Sequence, residues 1–99
     1  MSEPENVALC AVVRGRVQGI GFRDYVLVRA RFLGLTGYVR NLPDGRSVEV
    51  IGEGPRADLE QLLEHLREGP RLSRVDAVET EWAKPSGAYD AFGVAHTRL

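Results

Sequence analysis

The strongest constraint on the fold is the order in which apolar residues change their spacing along the chain. Val7 to Arg14 is a β-branched, apolar run ending at Gly15. Its near-continuous apolar character predicts a central, buried strand. From Phe22 the spacing turns helical: Phe22, Val26, Ala30 and Leu33 fall on one face, and Gly34 supplies the stop. Thr36 to Leu42 and Ser47 to Gly52 read as two strands of a hairpin. Between them Pro43-Asp44-Gly45 makes a turn, in which proline pre-sets one dihedral and glycine accepts a positive one. Pro55 opens a second helix, with Leu59, Leu62, Leu63 and Leu66 on one face and Gly69-Pro70 at its close. Val75 to Lys84 is a fourth strand with Val78, Thr80 and Trp82 on one face. After a turn at Pro85-Ser86-Gly87, Phe92 to Thr97 forms a short terminal strand.

This order predicts an α+β, ferredoxin-like sandwich (βαββαβ) with an antiparallel sheet, two helices on one face and a short fifth strand at the C-terminus. A length of 99 residues holds one domain at most. Residues 1–99 are therefore read as a single domain, with residues 1–6 as a polar N-terminal tail. The architecture alone names no activity, because it hosts many.

Charge is more informative than its total. The net charge of −1 conceals a basic stretch at residues 14–46, where seven arginines face only Asp24 and Asp44. Most of the remaining chain is acidic, which argues against a general polyanion binder and leaves room for a local anion site. The acidic head, Met-Ser-Glu-Pro-Glu-Asn, lacks the positive and apolar regions of a signal peptide, and no apolar run is long enough for a membrane helix. Cys10 is the only cysteine, which excludes an intramolecular disulfide and points to the cytoplasm.

The segment Gly15-Arg16-Val17-Gln18-Gly19-Ile20-Gly21-Phe22-Arg23 joins a buried strand to a helix N-terminus and is rich in glycine. Such a turn can aim backbone N–H groups inward, and the helix dipole adds partial positive charge; both favour an anion. No lysine follows the glycines, so it is not a Walker loop, and Asp24 stands where a dinucleotide fingerprint requires glycine. Arg23 falls at the helix start, where its guanidinium can reach over the loop and grip phosphate through two hydrogen bonds.

These residues closely resemble the first signature of acylphosphatases, and Gly37-Tyr38-Val39-Arg40-Asn41 resembles their second. The resemblance continues through Leu42-Pro43-Asp44-Gly45 and Gly54, and the element order agrees over nearly the whole chain. It implies a substrate that is a carboxyl-phosphate mixed anhydride, hydrolysed to carboxylate and inorganic phosphate with no metal and no cofactor. By matched position the phosphoryl group falls to Arg23 and to the loop residues Arg16, Val17, Gln18, Gly19, Ile20 and Gly21, and positioning of the attacking water falls to Asn41. The residue chemistry agrees. A carboxylate leaving group has a conjugate acid of pKa about 4 and departs without a general acid. Phosphoryl transfer through a loose transition state asks mainly for positioning and charge. One departure is an extra residue between Gly45 and Val48, which reads as a bulge in the hairpin. Another is Asp24, which either competes for the Arg23 guanidinium or suits the helix N-terminus electrostatically.

The remaining chemistry-bearing residues read more plainly. Cys10, mid-strand in an apolar run, is expected in the core. His65 and His96 form no ligand pattern with it, so no metal site is expected. Trp82 is expected to pack, Arg29 and Arg31 to be solvated, and Tyr38 either to line the site or to pack. An RNA-binding sandwich would carry stacking aromatics on its central strands, but Val7–Arg14 and Ser47–Gly52 contain none, so no nucleic acid is expected. A small-ligand regulatory module would accompany a larger catalytic chain. The free-standing length likewise argues against the acylphosphatase-like N-terminal segment of larger carbamoyl-transfer maturation proteins. The chain is read as a monomeric enzyme with no membrane partner.

Overall fold

The computed structural model describes residues 5–96. Strand β1 (Asn6–Arg16) is followed by α1 (Phe22–Phe32), the hairpin β2 (Thr36–Asn41) and β3 (Ser47–Pro55), α2 (Arg56–Glu68), β4 (Arg74–Ala83) and β5 (Phe92–Val94). The strand order is β4-β1-β3-β2-β5, so β1 is an interior strand. The two long interior pairs and the β1–β4 pair are antiparallel, whereas β5 runs parallel to β2. The sheet is therefore mixed and not purely antiparallel, because the chain crosses the whole sheet before adding its last strand. Asn6, assigned to the tail by sequence, already pairs with Pro55. Thr97, the expected end of the last strand, lies outside the described residues.

Side-chain alternation separates two faces of the sheet. Leu9, Ala11 and Val13 of β1, Val39 of β2 and Val48 and Val50 of β3 are fully buried against Phe22, Val26 and Ala30 of α1 and the leucine stripe of α2. Burying a Leu, Val or Phe side chain stabilises by about 1.5–3 kcal/mol each, which is what fixes the helices on this face. Helix α1 ends as Gly34 foretold: the Gly34 N–H donates to the Arg31 carbonyl and the Leu35 N–H to the Ala30 carbonyl, both at 3.0 Å. Trp82 also packs against this core, with the Arg56 guanidinium 4.2 Å from its ring centre. Among the described residues no helix is long and apolar enough to cross a membrane.

Several local readings are corrected. Gly15 does not end β1, because the strand continues to Arg16 and shifts its register against β4 between Arg14 and Gly15. A Cβ at Gly15 would stand 2.1 Å from the Arg74 carbonyl oxygen, so close backbone approach demands the glycine. The hairpin bulge is absent too. Pairing from Thr36↔Glu53 to Asn41↔Val48 is regular, and the extra residue is taken up in the turn, where the Asp44 carboxylate accepts from the Arg46 N–H and the Ser47 hydroxyl. Arg29 and Arg31 are engaged: Arg29 stacks on Tyr25, and the Arg31 Nε–H donates to the Phe92 carbonyl at 3.0 Å. Cys10 lies half-buried on the face that the helices do not cover, and burial, with Glu49 and Glu81 nearby, pushes its thiol up. The apolar run of β1 reflects an interior position between two neighbours, not burial on both faces.

That second face is crossed by residues 84–91, which carry the chain from β4 to β5. The strap is fastened to Glu53. The Ser86 N–H and hydroxyl donate to its Oε2 at 2.7 and 2.8 Å, and the Gly87 N–H donates to its Oε1 at 3.0 Å. Tyr89 packs edge-on against Tyr38, whose hydroxyl donates to Glu49 at 2.7 Å. Burial and that carboxylate push the Tyr38 phenol up to about 12. Tyr38 is thus a packing residue of this face. Burial opposes ionisation of Glu53, but the donors from Ser86 and Gly87 outweigh it and hold the carboxyl below its ordinary 4.5. A depressed folded pKa gives stability that is whole above the ordinary value and is lost as pH falls through the folded one. Melting curves recorded from pH 7 to pH 3 are expected to show an acid loss of Tm that Glu53→Gln makes shallower. Equal slopes for the two proteins would refute the role of this clasp.

Candidate active site

The site is built at the N-terminal end of α1. After Arg16 the chain turns through residues 17–21, with Gly19 at φ 74° and Gly21 at φ 80°, a region in which side chains are disfavoured. These two left-handed residues flank Ile20 and curl the loop into the concave backbone that suits an anion. Gly21 is the N-cap of α1 and offers no side chain to the helix. The first helical bond runs from the Tyr25 N–H to the Gly21 carbonyl at 3.0 Å, so the N–H groups of Phe22, Arg23 and Asp24 have no acceptor inside the helix. They and the helix dipole together present partial positive charge.

Between this loop, the end of β2 and β5 lies a cleft of about 290 Å³. Val17, Gly19 and Gly21 line it, and it brings together Arg23 from α1 and Asn41 from the last position of β2. Its size suits a phosphate carrying a small acyl group. Arg23 is half-buried and makes no ion pair with any described residue, Asp24 included, so its charge is directed to no carboxylate of the protein. Other arginines of the basic stretch are engaged elsewhere, Arg14 with Glu79 and Arg40 with Glu49. Among the described residues no group of three His, Cys, Asp or Glu side chains could hold a metal ion.

Three of the loop residues singled out by sequence have side chains outside the cleft. Arg16 is exposed at the end of β1, opposite Arg74. Ile20 packs against the hydrophobic core. The Gln18 amide turns away and donates to the Leu42 carbonyl at 2.9 Å and the Ser47 carbonyl at 2.8 Å, using both of its hydrogens. It ties the loop to the base of the β2–β3 hairpin, immediately after Asn41, and so fixes the distance between the two halves of the site.

The cleft also contains residues that the sequence did not mark as lining it. Phe22 forms part of the wall, Asp24 stands beside Arg23, and Val94 closes the far side from β5. Asp24 was legible as a neighbour of Arg23, and its place three positions after the N-cap was the available signal. Val94 had none, because nothing local places the C-terminal strand against a loop more than seventy residues earlier.

Comparison with known proteins identifies the family and the fold. The acylphosphatase family profile matches residues 9–94. A relative from Thermus thermophilus named acylphosphatase is 56% identical over 79 residues, covering 80% of this chain and 89% of its own length. The crystal structure of acylphosphatase from Bacillus subtilis superposes with a TM-score of 0.85 at 32% identity, covering 90% of this chain and 98% of that one. Full-length HypF, in its phosphate- and nucleotide-bound form, matches with a TM-score of 0.86 at 27% identity over 95% of this chain, but only 12% of its own. With a matching profile across most of its length and a relative 56% identical over four fifths of it, the chain belongs to the acylphosphatase family, the hydrolases of acyl phosphates.

Proposed function

We propose that this enzyme holds the phosphoryl group of its substrate on the backbone amides of residues 17–21 and the first turn of α1, with the Arg23 guanidinium gripping two phosphate oxygens. Asn41 orients the attacking water through its side-chain amide. The observation that carries this reading is the convergence of Arg23 and Asn41 on one cleft at a helix N-terminus. Water attacks phosphorus, the bond between phosphorus and the acyl oxygen breaks, and that oxygen leaves as carboxylate. A non-bridging phosphate oxygen takes the proton lost by the water, giving inorganic phosphate. The Asn41 carboxamide is too weakly basic to take up the water's proton, so it serves as an orienting group and not as a base. The carboxylate needs no protonation to depart, so the protein has only to position and to neutralise charge.

In this reading Gln18 acts by holding the loop, and the Arg16 side chain has no part in the chemistry. No step calls for a metal ion, since Arg23 and the amides supply the positive charge. Residues 1–99 act as one domain and as a monomer, since every group invoked comes from a single chain. The lone cysteine suits a reducing, cytoplasmic setting. The test is hydrolysis of a synthetic aryl acyl phosphate with EDTA present. Full turnover is expected in the native enzyme, and Asn41→Ala is expected to lower kcat by about 10²-fold, the effect of losing one transition-state contact. Activity abolished by EDTA would refute the metal-free scheme. Full activity in Asn41→Ala would remove the water-orienting role.

A further inference from the structure

The cleft is lined by two charged side chains of opposite sign, Arg23 and Asp24. Arg23 is taken up by the phosphoryl group in the proposed mechanism, on which the role assigned to Asp24 rests. Asp24 then remains for whatever else the substrate brings. Its carboxylate is exposed and forms no ion pair or side-chain hydrogen bond with any described residue, whereas Asp44, Glu49 and Glu53 are each held by donors of the protein. Asp24 lies in the first turn of α1, where the helix dipole favours a negative charge, so its presence costs the fold nothing. Beyond Arg23 and Asp24 the wall is formed by the neutral Asn41, by glycine backbone and by the apolar Val17, Phe22 and Val94, and offers no further cation to a second anionic group.

We infer that Asp24 is a specificity-determining residue, which selects acyl phosphates with an uncharged or cationic acyl group over those bearing a second carboxylate. An acyl chain leaving the phosphate site passes a negative charge across a small cleft, and an acyl carboxylate there meets repulsion with no compensating partner. The proposed mechanism gives Asp24 no part in bond making or breaking, so its role is in substrate choice and not in catalysis.

The experiment compares butyryl phosphate with succinyl phosphate, which has the same chain length and one more carboxylate. The native enzyme is expected to favour butyryl phosphate by about tenfold in kcat/KM at low ionic strength. Salt is expected to shrink that ratio, because the repulsion acts between exposed charges. Asp24→Asn is expected to bring the ratio to within about twofold of unity, and Asp24→Lys to invert it. Asp58→Asn, the same change in the first turn of α2 and away from the cleft, is expected to leave the ratio as in the native enzyme. Because the readout is a ratio, a variant that folds poorly or works slowly still reports. Equal turnover of the two substrates by the native enzyme, or a ratio unmoved in Asp24→Asn, would overturn the inference. Arg23→Ala separates this failure from that of the mechanism: loss of both activities together with an unmoved Asp24→Asn ratio sinks only the role of Asp24. Full activity of Arg23→Ala sinks the mechanism itself.

Discussion

Arg23→Ala is expected to lower kcat/KM for an aryl acyl phosphate by at least about 10²-fold, the size of effect found when one preorganised transition-state donor is removed. The loss follows from what Arg23 does not do as much as from where it lies. It lines the cleft and makes no ion pair among the described residues, so on the proposed mechanism truncation removes the phosphate-gripping group and breaks no internal ion pair. Tm should therefore stay within a few degrees of the native value, while inhibition by inorganic phosphate, expected of the native enzyme from the proposed site, should weaken. Arg23→Lys should recover only part of the rate. An ammonium supplies the charge as a point, whereas the guanidinium presents two parallel N–H groups to two phosphate oxygens. Equal turnover by native and Arg23→Ala enzymes would show that phosphate is held elsewhere.

Gly37→Ala carries the largest expected loss of stability. Gly37 sits in β2 at φ 134°, and a Cβ added there would stand 1.9 Å from the Ile51 carbonyl oxygen and 2.8 Å from its carbon. These are backbone atoms of the neighbouring strand, so relief requires β2 and β3 to separate. The same residue donates its N–H to the Ala91 carbonyl at 3.1 Å, so any shift also disturbs the entry to β5. A cost above about 3 kcal/mol is expected, combining backbone strain with lost pairing, against a total stability of about 5–15 kcal/mol for a domain of this kind. Gly93→Ala is the control. It lies on β5 with no atom within 4 Å of its would-be Cβ, and its cost should stay below about 1 kcal/mol. Urea titration of the two variants compares them directly, and a Gly37→Ala protein as stable as Gly93→Ala would refute the steric argument.

Local periodicity was enough to order every element and to find both helices, because the apolar faces of α1 and α2 repeat at helical spacing and end at Gly34 and Gly69. It misjudged places where a distant part of the chain decides the local outcome. Gly15 looked like the stop after a strand, and only its pairing and close approach to β4 show it to lie within one. Pro85-Ser86-Gly87 looked like a simple turn, yet its donors are aimed at Glu53, more than thirty residues away. The site shows the same division. Gly19, Gly21 and Arg23 were legible from type and spacing, because glycines at a helix start and an arginine beside them have a chemical reason to be there. Asn41 came only from the resemblance of Gly37-Tyr38-Val39-Arg40-Asn41 to the second signature. The outward turn of Gln18 and the presence of Val94 were not legible, since both depend on how the hairpin and the last strand pack against the loop.

The strap fastened to Glu53 has a consequence for how molecules of this enzyme meet one another. A sheet is open to further strands at its two margins, here β4 and the β2 side, and each is guarded differently. The β4 margin bears Arg74, Asp76, Glu79 and Glu81, charges that discourage a neighbour from adding alongside. On the β2 side Arg40 is engaged by Glu49, and the margin is covered by only three residues of β5, delivered there by the strap. Acid that protonates Glu53 loosens the clasp and with it the hold on β5. The margin that β5 covers then becomes adhesive, and growth of ordered aggregates in acid should begin there before the core itself comes apart.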